Sequence, residues 1–394
     1  MFPPAASMAC LHRAQEMRTI LRVNDINTLQ INDVAGADSG VAPVDGVSLR
    51  LSAGQTLVLL GDSRSGKESL VRLVAGFGDL VSGTIAFNGH DITRMPPHKR
   101  PFTLLTARDA LFPHLDIANN VAYGIKPRIA KKEGGSDPRV LRTLEMVELT
   151  AARDAFPEAL SPAERQQVAL ARALAVEPLV LLLDNALNEL DPLTEGRVMT
   201  RLRDLQRQAG FSILDVRRKG SGMMALADHM GVLAEGQLLE LDRPQVLYST
   251  PRSALTASLT GPINLIPGDR LADRPESDEG SITRKAAMGR ASWALALRPD
   301  AIELHLTDAN LQTPSLRGKI DGVAYSAFGL TAHIRLSGLE TLLTARVDHK
   351  RLDVDDLPPG RRVWCTWDDS AANVVPWNGP TEPDRTGHDQ GASR

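Results

Sequence analysis

LLGDSRSGKESL, residues 59–70, is the stretch on which the rest of the chain depends. It continues an apolar run, TLVLL at 56–60, passes through a loop bounded by Gly61 and Gly66, and opens into a segment where Leu70, Val71, Leu73, Val74 and Phe77 recur at one-face helical spacing. Strand, glycine loop and helix in that order are the first step of an α/β unit. Gly61-x4-Gly66-Lys67 is the outline of a phosphate loop, in which backbone N–H groups and one lysine face a polyphosphate. That motif continues with Ser or Thr, but here the next residue is Glu68, a carboxylate at the mouth of an anion site. Two like charges about 4 Å apart at an effective dielectric near 20 repel by roughly 4 kcal/mol. The geometry of the stretch points to a nucleotide, and one residue argues against it.

On the N-terminal side, TLQIND from Thr28 and VSLRLS from Val47 read as short strands, and residues 1–28 as an extension with a short helix near 9–21. On the C-terminal side, Asp137-Pro138 and Asp191-Pro192 each start a helix by a side-chain cap with Pro at the first helical position. Between these helices PLVLLLD at 178–184 is a continuous apolar strand of the kind buried on both faces of a parallel sheet, and FSILDV at 211–216 is another strand. These elements define an α/β domain over 29–245, followed by a linker at 246–262. From 263 to 377 short alternating runs (WALALR, RGKIDGV, TAHIRL, TLLTARV, RRVWCTW) predict an all-β module, interrupted by a polar surface loop at 269–290. Trp364 and Trp367 are assigned to its core. Residues 378–394 have no apolar periodicity and are read as a disordered tail.

Bulk composition narrows the function classes. The 394 residues suffice for two or three domains, and 45 Lys plus Arg against 48 Asp plus Glu, net -3, give no basic field for nucleic acid. No apolar run approaches the roughly 18 residues of a membrane span, so a membrane role is peripheral. Cys10 and Cys365 are too few for a disulfide framework, and no signal-peptide core precedes the domain, so a cytoplasmic chain is expected. His90, His98, His114 and His229 are scattered and make no metal cluster; Lys131-Lys132 and the run at 217–219 read as solvated faces.

The order of further motifs carries a resemblance. After the loop come PPHKRP at 96–101, ALFPHL at 110–115, NNVAYGI at 119–125, Leu160-Ser161 leading to VALARAL at 168–174, EPLVLLLD at 177–184, Leu190-Asp191 and ALAD at 225–228. This run resembles the ATP-binding subunit of an ATP-binding-cassette (ABC) importer. NLIPG at 264–268 and LRPD at 297–300 before the β module look like the transport-associated OB-type (TOBE) domain of the subgroup that serves polyamines, sulfate, ferric iron and sugars. LRPD and VWCTW at 363–367 fit the polyamine (putrescine/spermidine) branch best. The resemblance implies an α/β P-loop NTPase fold followed by an all-β OB-like domain, with ATP and Mg2+ as ligands. Its partners would be membrane permease subunits, whose coupling helices are received by the helical region after residues 110–114, a second nucleotide-binding subunit in a homo- or heterodimer and, indirectly, a periplasmic or extracellular solute-binding protein. Its place would be peripheral, on the cytoplasmic face of the membrane.

In the family, ATP is sandwiched between two such domains. The resemblance places Gly61, Ser63, Gly66, Lys67, Glu68, Ser69, Ser161 and Asp191 along the nucleotide and Asp184 at the magnesium. Several chemistry-bearing positions depart from the family. Arg64 replaces a Gly, and the adenine-stacking aromatic falls near Asp38. Ala107 stands in place of the Gln that reaches metal and attacking water, Asn185 in place of the Glu that polarises that water, and Arg218 in place of the switch His. An amide accepts no proton and a guanidinium does not titrate near neutral pH. LSPAE at 160–164 stands where the signature Leu-Ser-Gly-Gly-Gln grips the partner's nucleotide; Pro162 has no N–H to offer, and Ser161-x-x-Glu164 instead reads as a capping box. Asp191 equally caps the helix at Pro192. The resulting expectation is an importer subunit with impaired hydrolysis. A non-hydrolysing structural or regulatory subunit is the alternative, and pairing with an intact cassette is an intermediate case.

Overall fold

A computed structural model describes residues 28–37, 41–107, 110–125, 136–187, 190–218, 225–268, 292–307, 315–326, 329–337, 342–348 and 350–377. The expected helix near 9–21, the position of Asp38, Lys131-Lys132, Lys219, the loop at 269–290 and the tail at 378–394 lie outside these residues. Two compact units divide after Gln245.

Unit 1 runs β1 (Leu29–Ala37), β2 (Val44–Leu51), β3 (Thr56–Leu60), α1 (Lys67–Ala75), β4 (Asp79–Phe87), β5 (His90–Asp91), β6 (Phe102–Thr106), α2 (Ile117–Ala122), α3 (Pro138–Met146), α4 (Pro162–Ala175), β7 (Val180–Asp184), α5 (Pro192–Ala209), β8 (Ser212–Arg217), β9 (His229–Ala234) and β10 (Gln237–Asp242). The strands form two sheets: an antiparallel one in the order β2-β1-β4-β5 and a six-stranded one in the order β10-β9-β3-β8-β7-β6. In the larger sheet β9, β3, β8, β7 and β6 are parallel and β10 is an antiparallel edge. The fully buried side chains of β3 explain why its sequence is an uninterrupted apolar run. One core joins both sheets through α1, whose Leu70, Val71, Leu73 and Val74 pack with Ile31 and Ile85 of one sheet and Leu57, Leu182 and Leu214 of the other.

Both ends of α1 are pinned. Gly66 at its N-cap has φ 86, and a Cβ there would lie 2.5 Å from the Pro43 carbonyl. At the other end the buried Arg100 donates to the carbonyls of Leu73 (3.0 Å) and Val74 (2.6 Å) in the last turn and to those of Thr93 (3.0 Å) and Met95 (2.8 Å), tying the helix end to the segment after β5.

Parallel register brings the carboxyl ends of four strands to one edge of the sheet. Thr106 pairs with Asp184, Asp184 with Val216, and Leu60 with Arg217, so Gly61, Ala107, Asn185 and Arg218 leave their strands side by side. Ligands of open α/β sheets bind at this edge.

Helix α6 (Pro244–Ser249) runs across the division, and with α7 (Ala254–Thr260) of unit 2 it occupies most of the stretch where the sequence suggested a linker. This segment is folded because Arg298 gathers it, donating to the carbonyls of Tyr248, Ala257, Gly261 and Pro262 while lying 4.0 Å from the Tyr248 ring centroid. Beyond it come β11 (Asn264–Pro267), β12 (Trp293–Leu297), β13 (Glu303–His305), β14 (Ser315–Ser326), β15 (Gly329–Leu336), β16 (Leu342–Arg346), β17 (Arg362–Thr366) and β18 (Asn373–Pro376). Their sheets, β11-β12-β18 and β13-β17-β14-β15-β16, are antiparallel and share a core that includes Ile266, Leu297, Ile334, Cys365 and Trp367. Asn264 bridges the two sheets: its Nδ2 donates to the Thr344 carbonyl (2.8 Å) and its Oδ1 accepts from the Thr344 amide (2.7 Å).

Candidate nucleotide site

The loop after β3 is held in its turn by its own atoms. Gly61 N donates to the Arg217 carbonyl, Ser65 N and Ser65 Oγ to the Asp62 carbonyl, and Arg64 N to Asp62 Oδ1. A Cβ on Gly61 would lie 2.7 Å from the Leu233 carbonyl, so the first loop position admits only glycine. Ser63 and Arg64 are exposed at the tip. Lys67 is 1% exposed, and its Nζ donates to the Asp62 carbonyl at 2.7 Å, folding back over the loop. Burial pulls its pKa below the ordinary value, partly offset by Glu68, Asp184 and Asp62. Backbone and lysine thus have the shape of an anion cradle whose ammonium is engaged internally.

Glu68 occupies the first turn of α1, where an acidic side chain complements the positive end of the helix. Its Oε1 lies 3.6 Å from Lys67 Nζ and accepts a hydrogen bond from Asn185 Nδ2 at 3.0 Å. The same nitrogen donates to Asp184 Oδ1 at 3.1 Å. One amide therefore bridges two carboxylates 116 residues apart in sequence. Asn185 is positioned for this by a left-handed backbone, φ 47, and by its N–H on the Val216 carbonyl. Asp184 is pushed up to about 6, first by burial and then by the Glu68 charge.

The other residues singled out by sequence fall into two groups. Ala107 and Arg218 reach the same edge and are exposed; the Ala107 carbonyl accepts from Gln166 Nε2 at 3.0 Å. Ser69, Asp191 and Ser161 spend their oxygens on the fold. Ser69 Oγ donates to the Ala42 carbonyl at 2.5 Å, and Asp191 Oδ1 accepts from Leu193 N and Thr194 N, both at 3.0 Å. Ser161 and Glu164 form the capping box of α4, with Ser161 N on Glu164 Oε2 at 2.8 Å and Glu164 N on Ser161 Oγ at 3.2 Å. Those bonds hold the Glu164 carboxyl below the usual range.

Arg217 corrects the sequence reading of a solvated basic face. Its guanidinium is buried between Asp215, at 2.5 Å from Nε, and Glu195 of α5. Burial opposes its charge, and the two carboxylates more than offset that, leaving its pKa above the ordinary value. Asp215 is fully buried and raised by that burial, with Arg217 pulling the other way. Glu195 is 22 residues from Arg217, and the FSILDV run gave no hint that its Asp would need an internal cation.

As the side chains stand, with Asn185 Oδ1 buried and unpartnered while its Nδ2 faces both carboxylates, the oxygens are not arranged as a magnesium shell. A divalent magnesium ion takes a near-octahedral shell of oxygens at about 2.0–2.1 Å. Between the carboxylates of Glu68 and Asp184 stands an NH2 group, an ammonium lies 3.6 Å from one of them, and the nearest hydroxyl of the loop helix, Ser69 Oγ, is turned to Ala42. Assigning Asp184 to a metal therefore conflicts with the hydrogen bonding around it.

Residues 44–188 match the ABC transporter family and residues 295–375 the TOBE domain. The ABC transporter ATP-binding protein YdcT of Escherichia coli (strain K12) is 32% identical over 344 residues, 86% of this chain and 95% of that protein. The chain belongs to the ATP-binding subunits of ABC importers. Another relative of this family, the spermidine/putrescine import ATP-binding protein PotA of Pseudomonas aeruginosa (strain UCBPP-PA14), is 33% identical over 75% of this chain and 84% of its own length. Among solved structures, cbiO1 from Clostridium perfringens, part of the ABC transporter complex cbiONQ, superposes with TM-score 0.51 at 21% identity, covering 57% of this chain and 91% of that one. That likeness is one of fold, and it agrees with the P-loop architecture of unit 1. No helix among the described residues is long and apolar enough to cross a membrane.

Proposed function

We propose that this chain is the peripheral ATP-binding subunit of an ABC importer for polyamine-like solutes, with assembly retained and ATP turnover impaired. The glycine cradle at Gly61 and Gly66, with Lys67, supports nucleotide binding through Ser63 and the start of α1. The spermidine/putrescine relative supports the solute class. A docking surface for permease subunits is supported by Phe112, stacked 4.2 Å from Tyr123 and covered by Arg172 at 5.7 Å, with Tyr123 58% exposed. A second nucleotide-binding subunit beside this one at the cytoplasmic face and, indirectly, a solute-binding protein on the opposite, periplasmic or extracellular, side complete the proposed assembly.

Impaired turnover rests on the position of Asn185. Attack on a terminal phosphate needs a group that takes or orients the proton of water. Asn185 directs its NH2 at Glu68 and Asp184, and an amide in that position has no basic lone pair to offer. Arg218, exposed just after β8, brings a guanidinium, a donor with no acceptor, to the place where the family has its switch His. Loss of a general base costs about 10²–10⁴ in rate. Phosphate release by the purified chain is therefore expected to fall at least about 100-fold below that of an intact cassette assayed in parallel. Turnover equal to the intact cassette would sink the impaired-site reading, whereas an absence of nucleotide binding would favour the regulatory alternative.

A further inference from the structure

The charges at the edge of the sheet have moved relative to the family pattern. A family member carries adjacent carboxylates at the end of the strand equivalent to β7 and a neutral hydroxyl after the loop lysine. This chain carries one carboxylate at Asp184, an amide at Asn185 and the second carboxylate at Glu68, in the first turn of α1. The two exchanges fit each other. A third carboxylate at position 185 would face Glu68 and Asp184 at hydrogen-bond distance, and a hydroxyl at position 68 would deprive Asn185 Nδ2 of its 3.0 Å partner. Lys67 Nζ, 3.6 Å from Glu68 Oε1, supplies positive charge on the other side.

From this arrangement we infer that the nucleotide pocket is built to work without a divalent cation: the Asn185 amide and the Lys67 ammonium together take the place of the metal between Glu68 and Asp184. Orientation of the amide follows from the bonds it makes. Turned over, it would press Oδ1 against both carboxylates and lose two hydrogen bonds. A cation entering the gap must displace that nitrogen and sit beside a buried ammonium. A nucleoside polyphosphate taken up here is accordingly recognised as the free anion by loop amides and Lys67. The inference rests on the proposed reading only in assuming that the loop still faces a nucleotide.

The test uses the full-length chain and manganese as the probe ion. Free Mn2+ is followed by electron paramagnetic resonance; the native chain is expected to leave the signal unchanged at millimolar ion, and saturable uptake of one equivalent would overturn the inference. Asn185→Asp replaces the donor by an acceptor without disturbing the left-handed backbone, which Asp tolerates. This variant is expected to take up Mn2+ and to melt at a higher temperature with the ion than in EDTA; a variant that binds no more than the native chain would overturn the role given to the amide. A fluorescent ATP analogue is then titrated in EDTA and in magnesium. Affinities within about threefold support the inference, and a gain of about tenfold or more with magnesium overturns it. Failure of the analogue to bind in either buffer would count against the nucleotide reading alone, since the manganese measurements decide the metal question by themselves.

Discussion

Asp184 shows what a single carboxylate costs in this setting. Its pKa is pushed up to about 6 by burial and by Glu68, against an unfolded value near 4. The folded chain therefore binds the proton more tightly than the unfolded one, and stability falls as pH rises from about 4 through about 6. Above that window the full cost of the ionised group is present. Asp184→Asn removes the titration while keeping an acceptor for Asn185 Nδ2. In urea melts performed in EDTA, the variant is expected to exceed the native chain in stability at about pH 7.5 and to match it near pH 4. An advantage of equal size at both pH values would show that the charge is not responsible. The residues of this site could be named singly from sequence, because each stands at a fixed motif position, Lys67 and Asp184 as the motif has them and Glu68 and Asn185 as departures from it. Their pairing could not, since Glu68 and Asn185 are 117 residues apart and meet only through the register of β3, β8 and β7.

Elements follow the same division between local and distant signals. Asp137, Ser161 and Asp191 cap α3, α4 and α5, each with Pro just inside the helix, and these starts were legible because the capping signal spans about four residues. The strand β4 was not, because its pattern of exposed and half-buried residues over Asp79–Phe87 lacks alternation until Ile85 and Phe87. The role of Arg217 was also hidden. It ties β8 to the first turn of α5 through Asp215 and Glu195, a bond between elements that no window of sequence contains. Removing one partner of a buried pair leaves an uncompensated charge, which costs about 3–5 kcal/mol, whereas replacing both by apolar groups is often nearly neutral. Arg217→Met is accordingly expected to destabilise the chain by about 3 kcal/mol or more, and Arg217→Met combined with Asp215→Leu to recover most of the loss in urea denaturation. Simple addition of the two single effects would mean that the pair is not coupled.

At the scale of the whole molecule, the two units have separate cores. The cluster that joins the sheets of unit 1 through α1 and the cluster that fills unit 2 have no residue in common. Separate cores make two cooperative blocks the expected unfolding behaviour, since multi-domain chains commonly depart from a single two-state transition. Calorimetry of the full chain is expected to resolve two transitions, with a total enthalpy clearly above the van't Hoff value of either; one transition with equal enthalpies would show the blocks to be thermodynamically fused. The α/β character of unit 1 and the all-β character of unit 2 were legible from periodicity, because the apolar runs change from continuous to alternating along the chain. The helices of residues 244–260 were not, because what orders them is Arg298, 38 residues beyond Thr260. One side chain of unit 2 has a consequence for life in a crowded solution. Strand β16 is the outer member of its sheet, and such an edge offers free backbone groups to any extended peptide that drifts past. Asn264 meets Thr344 on that strand with both halves of its amide, imitating the backbone of a neighbouring strand. A lone carboxamide thereby blunts the edge against strand-by-strand aggregation, a protection that concerns colloidal behaviour and is independent of whether the nucleotide loop ever turns over.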